Sequence, residues 1–236
     1  MKITGEIINA LHQTSGEAYK LICAKECARL EKQEWIKAFF KDKNASLIDV
    51  GCAGHLRNID NQIKSGTWLH GELDSLVNIN YGIDINERAC IHLRENYGRS
   101  DIIAGDITKD IKRIKEFIRG GTDYILLADV IEHLENPIEF LRIIGINGYA
   151  KKIVITVPNA FHFVNLWFAV KNSEVINSDH KFWFTPFTLM KCCKEAGIII
   201  EEIDFAGFKY KGHKLPKWIC KNIMSQTICL VGKWSV

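Results

Sequence analysis

The stretch that most constrains the fold is Ser46-Leu-Ile-Asp-Val-Gly-Cys-Ala-Gly-His55. Its apolar residues predict a short buried strand over 46–50, and two glycines and a polar segment follow at once. This order predicts a strand that runs through a tight turn into a helix. Glycine has no Cβ, so Gly51 and Gly54 permit a left-handed backbone and the close approach of a ligand. The free N–H groups of the next helix suit a carboxylate or a phosphate.

Length and composition favour a single α/β domain over residues 1–236, with an N-terminal helical cap over 1–45 and an insertion over 160–187. The net charge of +3 is too small to indicate nucleic acid. Eight cysteines without C-x-x-C spacing predict a reduced chain, not a disulfide or zinc scaffold. No signal-peptide pattern is present, and no apolar run approaches the ~18 residues of a membrane span. We therefore expect a cytoplasmic protein.

Strand and helix patterns alternate along the chain, which is typical of a doubly wound sheet. With the strand at 46–50, they predict a seven-stranded, mostly parallel sheet. The further strands are predicted at 77–84, 102–104, 124–129, 152–158, 198–205 and 226–233. The main helices are predicted at 17–41, 67–76, 85–97, 137–147, 161–171 and 186–196.

Acidic residues stand at the carboxyl ends of the first three predicted strands, where open α/β sheets bind ligands. Asp49 precedes the glycine turn and could accept hydrogen bonds from a cation or from amides. Asp84 could hold both hydroxyls of a ribose through charge-assisted hydrogen bonds. Asp106 could accept the exocyclic amine of an adenine, with Ile107 against the ring. The alternative for the second and third acids is that each caps the helix that follows it.

Four segments together resemble the class I S-adenosylmethionine-dependent methyltransferases: Asp49-Val-Gly-Cys-Ala-Gly54, Gly82-Ile-Asp84, Gly105-Asp106 and Asp129-Val-Ile-Glu-His-Leu134. The segments Trp68-Leu-His-Gly71 and 178–189 are similar to a subgroup often encoded among bacterial surface-polysaccharide genes. The resemblance covers residues 46–205. It implies a Rossmann-like fold with an antiparallel last strand, S-adenosylmethionine as cofactor, and a sugar or another small molecule as methyl acceptor.

The resemblance also implies a cofactor site. The glycine turn would approach the methionyl part, and the acid before the turn would face its ammonium. The acids after the second and third strands would hold the ribose and the adenine, and the end of the fourth strand would line the methyl-donor side. The implied residues are Asp49, Gly51, Cys52, Ala53, Gly54, His55, Asp84, Ile85, Asp106, Ile107, Ala128, Asp129 and Val130.

Methyl transfer needs alignment of the nucleophile more than covalent help, because proximity and orientation supply ~7–11 kcal/mol of the barrier. A hydroxyl nucleophile also gains about 10²–10⁴-fold from a general base. His180 and His133 are the candidate catalytic residues. The alternatives are a loop-packing histidine and a helix-start histidine bonded to backbone. Asp129, Glu132 and His133 carry oxygen and imidazole ligands that could suit a divalent ion, but we assign no metal.

Two segments suggest partners. Residues 160–187 hold eight of the 24 aromatic residues and predict either a lid over the acceptor pocket or plain core and dimer contact. Residues 205–236 carry six lysines and no acid, which suits an acidic ligand, an anionic membrane surface or a solvated loop. We expect a small-molecule or saccharide acceptor, with peripheral membrane contact and a homodimer as further options and nucleic acid disfavoured.

Rival functions are weighed against O-methylation of a sugar, a sugar nucleotide or a lipid-linked saccharide. A nicotinamide-dependent oxidoreductase requires G-x-G-x-x-G after the first strand, and Asp49 occupies the first of these positions. A noncatalytic S-adenosylmethionine-binding module would bind the cofactor without turnover. N-methylation of a small amine and methylation of RNA or protein are further alternatives within the enzyme class.

Overall fold

A computed structural model describes residues 4–13, 18–23, 30–207, 209–210, 213–214 and 222–235. Its strands are β1 (Ser46–Val50), β2 (Ile79–Asp84), β3 (Ile102–Ala104), β4 (Thr122–Ala128), β5 (Ala150–Pro158), β6 (Ile198–Ala206), β7 (Lys209–Tyr210), β8 (His213–Lys214) and β9 (Thr227–Trp234). Its α-helices are α1 (Gly5–His12), α2 (Lys32–Phe40), α3 (Leu56–Ser65), α4 (Leu69–Leu73), α5 (Glu87–Tyr97), α6 (Ile111–Phe117), α7 (Pro137–Asn147), α8 (Phe163–Val170) and α9 (Pro186–Glu195).

Seven strands form one mixed sheet in the order β3-β2-β1-β4-β5-β9-β6. The first five are parallel, and β9 runs antiparallel to both β5 and β6. This confirms the predicted seven-stranded, mostly parallel doubly wound sheet with an antiparallel last strand. The strand order reverses between β1 and β4, which leaves a crevice at their carboxyl ends where α/β proteins bind ligands.

The core covers both faces of the sheet because successive side chains of a strand point to opposite faces. In the central strands β1, β4 and β5, neighbouring residues therefore join different clusters. One cluster includes Ile48, Ile125 and Ile153, and the other includes Leu47, Leu126 and Val154, all fully buried.

Local signals set the ends of helices α7 and α9. Helix α7 begins at Pro137, its Asn136 cap accepts a backbone hydrogen bond, and Gly148 ends it in a left-handed conformation. Helix α9 begins at Pro186 under a capping box formed by Thr185 and Thr188. These boundaries lie within one residue of the predictions.

The N-terminal region differs from its prediction. The periodicity predicted one helix over 17–41, but only Lys32–Phe40 is helical, residues 18–23 are not, and 24–29 lie outside the described residues. The carbonyl of Leu30 accepts a hydrogen bond from the N–H of Gly207 at 2.9 Å, so the chain before α2 bonds to the end of β6 and not to itself.

The predicted aromatic and basic segments are partly visible. Helix α8 lies inside the predicted 161–171 helix and has no buried residue. Of the basic segment 205–236, the structure describes residues 205–207, 209–210, 213–214 and 222–235, including the β7–β8 backbone pairing. The ligand contacts expected of the lysines between 208 and 221 lie outside this description. Among the described helices, none has both the length and the apolarity needed to cross a membrane.

Candidate functional site

The glycine turn after β1 has the predicted left-handed backbone, with φ of +80° at Gly51 and +56° at Gly54. The N–H of Gly51 donates to the carbonyl of Ile83 at 2.8 Å, which fixes the turn to β2. A Cβ on Gly51 would lie 3.1 Å from Cγ2 of Val130. The turn therefore packs closely against the segment after β4, and a larger residue there would separate the two.

Asp84 ties the turn to the start of α5. Its Oδ2 accepts hydrogen bonds from the N–H groups of Ala53 at 2.9 Å and Gly54 at 3.2 Å, and its Oδ1 accepts from that of Asn86 at 2.8 Å. The helix cap is instead Asn86, whose side chain accepts from the N–H of Ala89. The carboxylate of Asp84 thus shapes the crevice wall, and ribose binding by it stays a prediction.

Asp49 takes part in a buried charge network that the sequence did not reveal. Its Oδ2 lies 3.0 Å from Nδ1 of His70, whose Nε2 lies 3.1 Å from Oδ2 of Asp101. Arg99 joins the outer end by bonding both Asp101 and Asp74. Burial by itself lowers the pKa of His70, but the two carboxylates outweigh it and raise that pKa to about 9. At neutral pH the imidazole is charged and donates to both acids.

The residues around His70 explain how it reaches the turn. The indole N–H of Trp68 donates to the carbonyl of Cys52 at 2.8 Å, so the start of α4 is fixed under the turn. Trp68 and Leu73 are buried with His70, which places a histidine on the apolar side of a short helix. The apolar face of this short helix is the sequence signal for a buried histidine, whereas the resemblance includes His70 only as part of Trp68-Leu-His-Gly71.

The predicted adenine side is less open than expected. Oδ1 of Asp106 accepts hydrogen bonds from the N–H and hydroxyl of Thr108, which close a local turn, and the N-cap of α6 is Asp110, so Asp106 does not cap that helix. Ile107 is only 2% exposed, and its carbonyl accepts from the hydroxyl of Tyr149 at 3.0 Å. Ile85, by contrast, is 79% exposed. An adenine contact with these residues stays a prediction, and Ile85 offers the largest apolar surface for it.

The end of β4 carries a strained residue. After Ala128, Asp129 has a φ of +55°, which is uncommon outside glycine. Its N–H and Oδ1 bond to the carbonyl and hydroxyl of Thr156, and its Oδ2 forms an ion pair with Lys32. These contacts hold the backbone of Asp129 and Val130 at the mouth of the crevice.

A cluster of three residues lies next to this strand end. Ligand atoms of Glu132, His133 and His180 all lie within 4.8 Å of one another, and the two imidazole rings meet edge to face at 4.7 Å. His180 comes from the loop before α9. The N–H groups of Lys181 and Phe182 donate to the carbonyl of Glu132 and hold that loop in place. The structure thus brings together both candidate catalytic histidines.

The cluster leaves polar groups without partners among the described residues. Both carboxyl oxygens of Glu132 and Nδ1 of His180 are buried and make no hydrogen bond. Burial, and then the charge of Asp129, raise the pKa of Glu132 to about 8. Burial, and then the neighbouring His133, lower the pKa of His180. At neutral pH the glutamic acid is protonated and His180 is neutral, so the cluster can share or accept a proton, or hold a cation.

The two sides of the site meet across an open crevice of about 620 Å³. Its walls are the first turn of α3, from His55 to Asn58, and residues 177–179 of the loop that carries His180. His55 is largely exposed and lies 3.9 Å from a carboxylate oxygen of Asp179. The crevice therefore lies between the residues that directly follow the glycine turn and those that directly precede His180.

The sequence matches the model of a protein family described as a methyltransferase domain over residues 24–203. No curated protein matches it.

Three solved structures illustrate the likeness. Small RNA methyltransferase HEN1 has a TM-score of 0.59 and 19% identity, with coverage of 94% of this chain and 27% of that one. A SAM-dependent methyltransferase from Aquifex aeolicus has a TM-score of 0.52 and 14% identity, with coverage of 87% and 91%. Magnesium protoporphyrin IX methyltransferase from Synechocystis PCC 6803, with bound SAH, has a TM-score of 0.54 and 12% identity, with coverage of 86% and 80%. At such identities the likeness shows a shared fold.

Proposed function

Because the chain belongs to the methyltransferase-domain family and is an S-adenosylmethionine-dependent methyltransferase, we propose that it methylates a hydroxyl of a sugar, a sugar nucleotide or a lipid-linked saccharide. The observation that carries this proposal is the cluster of Glu132, His133 and His180 beside the end of β4. A hydroxyl must lose its proton as it attacks a methyl group, and this cluster can take one.

The cofactor supplies a methyl group on a sulfonium, and the chain aligns the acceptor behind it. Asp84 and the glycine turn bind the ribose and the methionyl part, while Asp129 and Val130 line the side from which the methyl leaves. Alignment and exclusion of water provide most of the rate gain in such a reaction. The left-handed backbone of Asp129 supports this role because strained residues concentrate at functional sites.

His180 is the proposed general base. Its lowered pKa keeps it neutral at pH 7, and its buried Nδ1 has no partner among the described residues. His133 donates through Nδ1 to the carbonyl of Asp179 at 3.2 Å, which fixes the ring against His180. This arrangement favours a hydroxyl acceptor, since an unprotonated amine is already a nucleophile and gains little from a base.

Exposed aromatic rings of the segment that carries His180 support a sugar acceptor. Phe161, Trp167 and Phe182 are 39%, 51% and 40% exposed. They belong to the segment 160–187, which we propose as a lid that packs against the acceptor within a single domain of residues 1–236. Sugars offer apolar faces that stack on such rings.

The test is a methyl-transfer screen with labelled S-adenosylmethionine. Sugars, sugar nucleotides and lipid-linked saccharides form the main set, and small amines and RNA oligonucleotides form the comparison set. Calorimetry with S-adenosylhomocysteine comes first, and micromolar binding, about −7 to −8 kcal/mol, is expected. Labelled O-methyl sugar supports the proposal. A labelled amine or RNA would overturn the sugar as acceptor and assign the acceptor to that class. Cofactor binding without any turnover would indicate a noncatalytic module.

A second arrangement of the same cluster is favoured by the unpartnered carboxyl of Glu132. One carboxylate and two imidazoles suit a first-row divalent cation such as Mn²⁺ or Zn²⁺, which would ionise Glu132 and polarise the acceptor hydroxyl. We expect chelation with EDTA to lower turnover by about tenfold or more, and added Mn²⁺ or Zn²⁺ to restore it. Full activity in EDTA would leave His180 as a base that acts without a cation. Glu132→Gln should abolish any cation response, and Glu135→Gln, at an exposed site three residues away, should retain it.

A further inference from the structure

The charge network under the glycine turn has no role in the proposed proton transfer. His70 is fully buried in the middle of it, with Asp49 on one ring nitrogen and Asp101 on the other. Asn80 donates to the backbone carbonyl of His70 at 2.9 Å, which fixes α4 to β2. Arg99 closes the outer end and lies 4.8 Å from the ring of Trp68. The network joins Asp101, directly before β3, to Asp49, near the end of β1.

We propose that His70 is a positioning residue for S-adenosylmethionine, which holds the glycine turn in its binding conformation through Asp49. The proposal rests on the cofactor site given above, at the turn from Gly51 to Gly54. His70 touches neither the reacting atoms nor the crevice. Its effect passes through the carboxylate that immediately precedes the turn.

The chemistry of the two hydrogen bonds explains why the protonation state of His70 matters. A charged imidazole donates from both nitrogens, whereas a neutral one has a single donor. Loss of the proton would therefore leave either Asp49 or Asp101 facing a lone pair. Four charged groups face the ring or its partners: Asp49 from β1, Asp101 and Arg99 from the turn before β3, and Asp74 from the end of α4.

The packing leaves His70 little freedom to compensate. Gly82 lies opposite Asp49 in the β1–β2 register. A Cβ built on it would lie 2.7 Å from Sγ of Cys52 and 3.1 Å from Cε1 of His70. The thiol of Cys52, buried in the same space, has a pKa raised well above its usual value, so it stays neutral. The turn and the imidazole are thus packed against the same point of β2, and a shift of one moves the other.

The experiment measures S-adenosylhomocysteine affinity and steady-state kinetics for His70→Gln and His70→Ala. We expect both to weaken binding by about ten- to hundredfold, the usual effect of losing hydrogen bonds to charged groups. The KM for S-adenosylmethionine should rise by a similar factor, while kcat at saturating cofactor stays close to the wild-type value. Glutamine keeps one donor and should retain more affinity than alanine.

The pH dependence separates positioning from a general packing role. Wild-type affinity should be constant near neutral pH and fall as pH rises through about 9, where His70 loses its proton. Asp101→Asn removes one carboxylate without touching Asp49, so it should move that fall to lower pH. His92→Ala is the matched control, because His92 also bonds an acid, Asp60 at 2.7 Å, but on the outer surface of α5.

The outcomes distinguish this inference from the proposed function. If the wild-type protein binds no S-adenosylhomocysteine, the cofactor site itself is wrong. If it binds, and folded His70 variants bind equally well, the positioning role is overturned. If Asp101→Asn leaves the alkaline fall where it was, the role is also overturned, even when the His70 variants fail to fold. Thermal melting of each variant identifies that last case.

Discussion

The two sides of the crevice are built in opposite ways. On the cofactor side, under the glycine turn, Asp49, His70 and Asp84 are buried and each has hydrogen-bond partners within the chain. On the acceptor side, the carboxyl of Glu132 and Nδ1 of His180 are buried with no partner among the described residues. Asp49, His70 and Asp84 are therefore satisfied without a ligand, and Glu132 and His180 are not.

This difference shows which part of the site is preorganised before a ligand binds. A buried polar group without a partner costs about 1–3 kcal/mol, and fully paired groups avoid that cost. The cofactor side is held rigid before binding, which reduces the entropy lost when the cofactor arrives. The acceptor side keeps unpaired groups that only an acceptor proton or a cation would satisfy, as a site for transition-state interactions requires.

The largest effect is expected on the acceptor side. His180→Ala should lower methyl transfer by about 10²–10⁴-fold, the range for loss of a general base, and leave cofactor affinity nearly unchanged. The wild-type rate should fall as pH drops through the pKa of His180, which lies below the ordinary 6.5, because a protonated imidazole cannot accept a proton.

The control for this variant is His162→Ala, which changes a partly buried histidine of the same segment that lies outside the cluster. Both variants are assayed with the acceptor found in the screen. Equal rates for His180→Ala and the wild type would show that His180 is not the general base. The unpaired groups of Glu132 and His180 would then have no catalytic role.

A smaller effect is expected on the cofactor side. Asp84→Ala removes an acceptor shared by the amides of Ala53, Gly54 and Asn86, at about 1.5–3 kcal/mol per hydrogen bond to a charged group. Cofactor affinity should fall by about ten- to hundredfold. Calorimetry measures this, with Asp60→Ala on the outer surface as control. Unchanged affinity would mean that the turn keeps its shape without Asp84.

The last effect concerns stability and not catalysis or binding. Glu132 has its pKa raised from 4.5 to about 8, so the folded protein holds a proton that the unfolded chain releases. Stability from this group should therefore fall as pH rises from 4.5 to about 8, by at most about 1.4 kcal/mol per pH unit. Melting of Glu132→Gln should lack that fall, whereas exposed Glu135→Gln should behave as the wild type. Parallel pH profiles would show that Glu132 is already partnered.

Much of the fold followed from local patterns. Strand β1, strand β3 and helix α7 have the predicted bounds, because a short apolar run or a proline and glycine pair marks each end. The predicted helix over 17–41 was wrong for residues 18–23, which are not helical, and residues 24–29 lie outside the described residues. Helical periodicity cannot show that the chain before α2 bonds to Gly207, which lies more than 170 residues away.

The site was predictable only as a set of strand ends. The register of a parallel sheet places Asp49 and Asp84 at the same end of the sheet, and no comparable rule places His70. Its contacts with two acids depend on how a five-residue helix packs under a turn. The meeting of His133 with His180, 47 residues later, depends equally on how a loop folds back, which no spacing encodes.

The position of β9 has a consequence for folding. This last strand of the sheet lies between β5 and β6 and pairs with both. In the described sheet, β5 and β6 are therefore not neighbours. During synthesis, β5 therefore keeps an unpaired edge, next to the strand end that borders the proposed site, until residues 227–234 have left the ribosome. Such an edge can pair with other chains. The nascent chain can therefore aggregate until β9 pairs with β5. Chaperone binding or slower translation before β9 would change the extent of that aggregation.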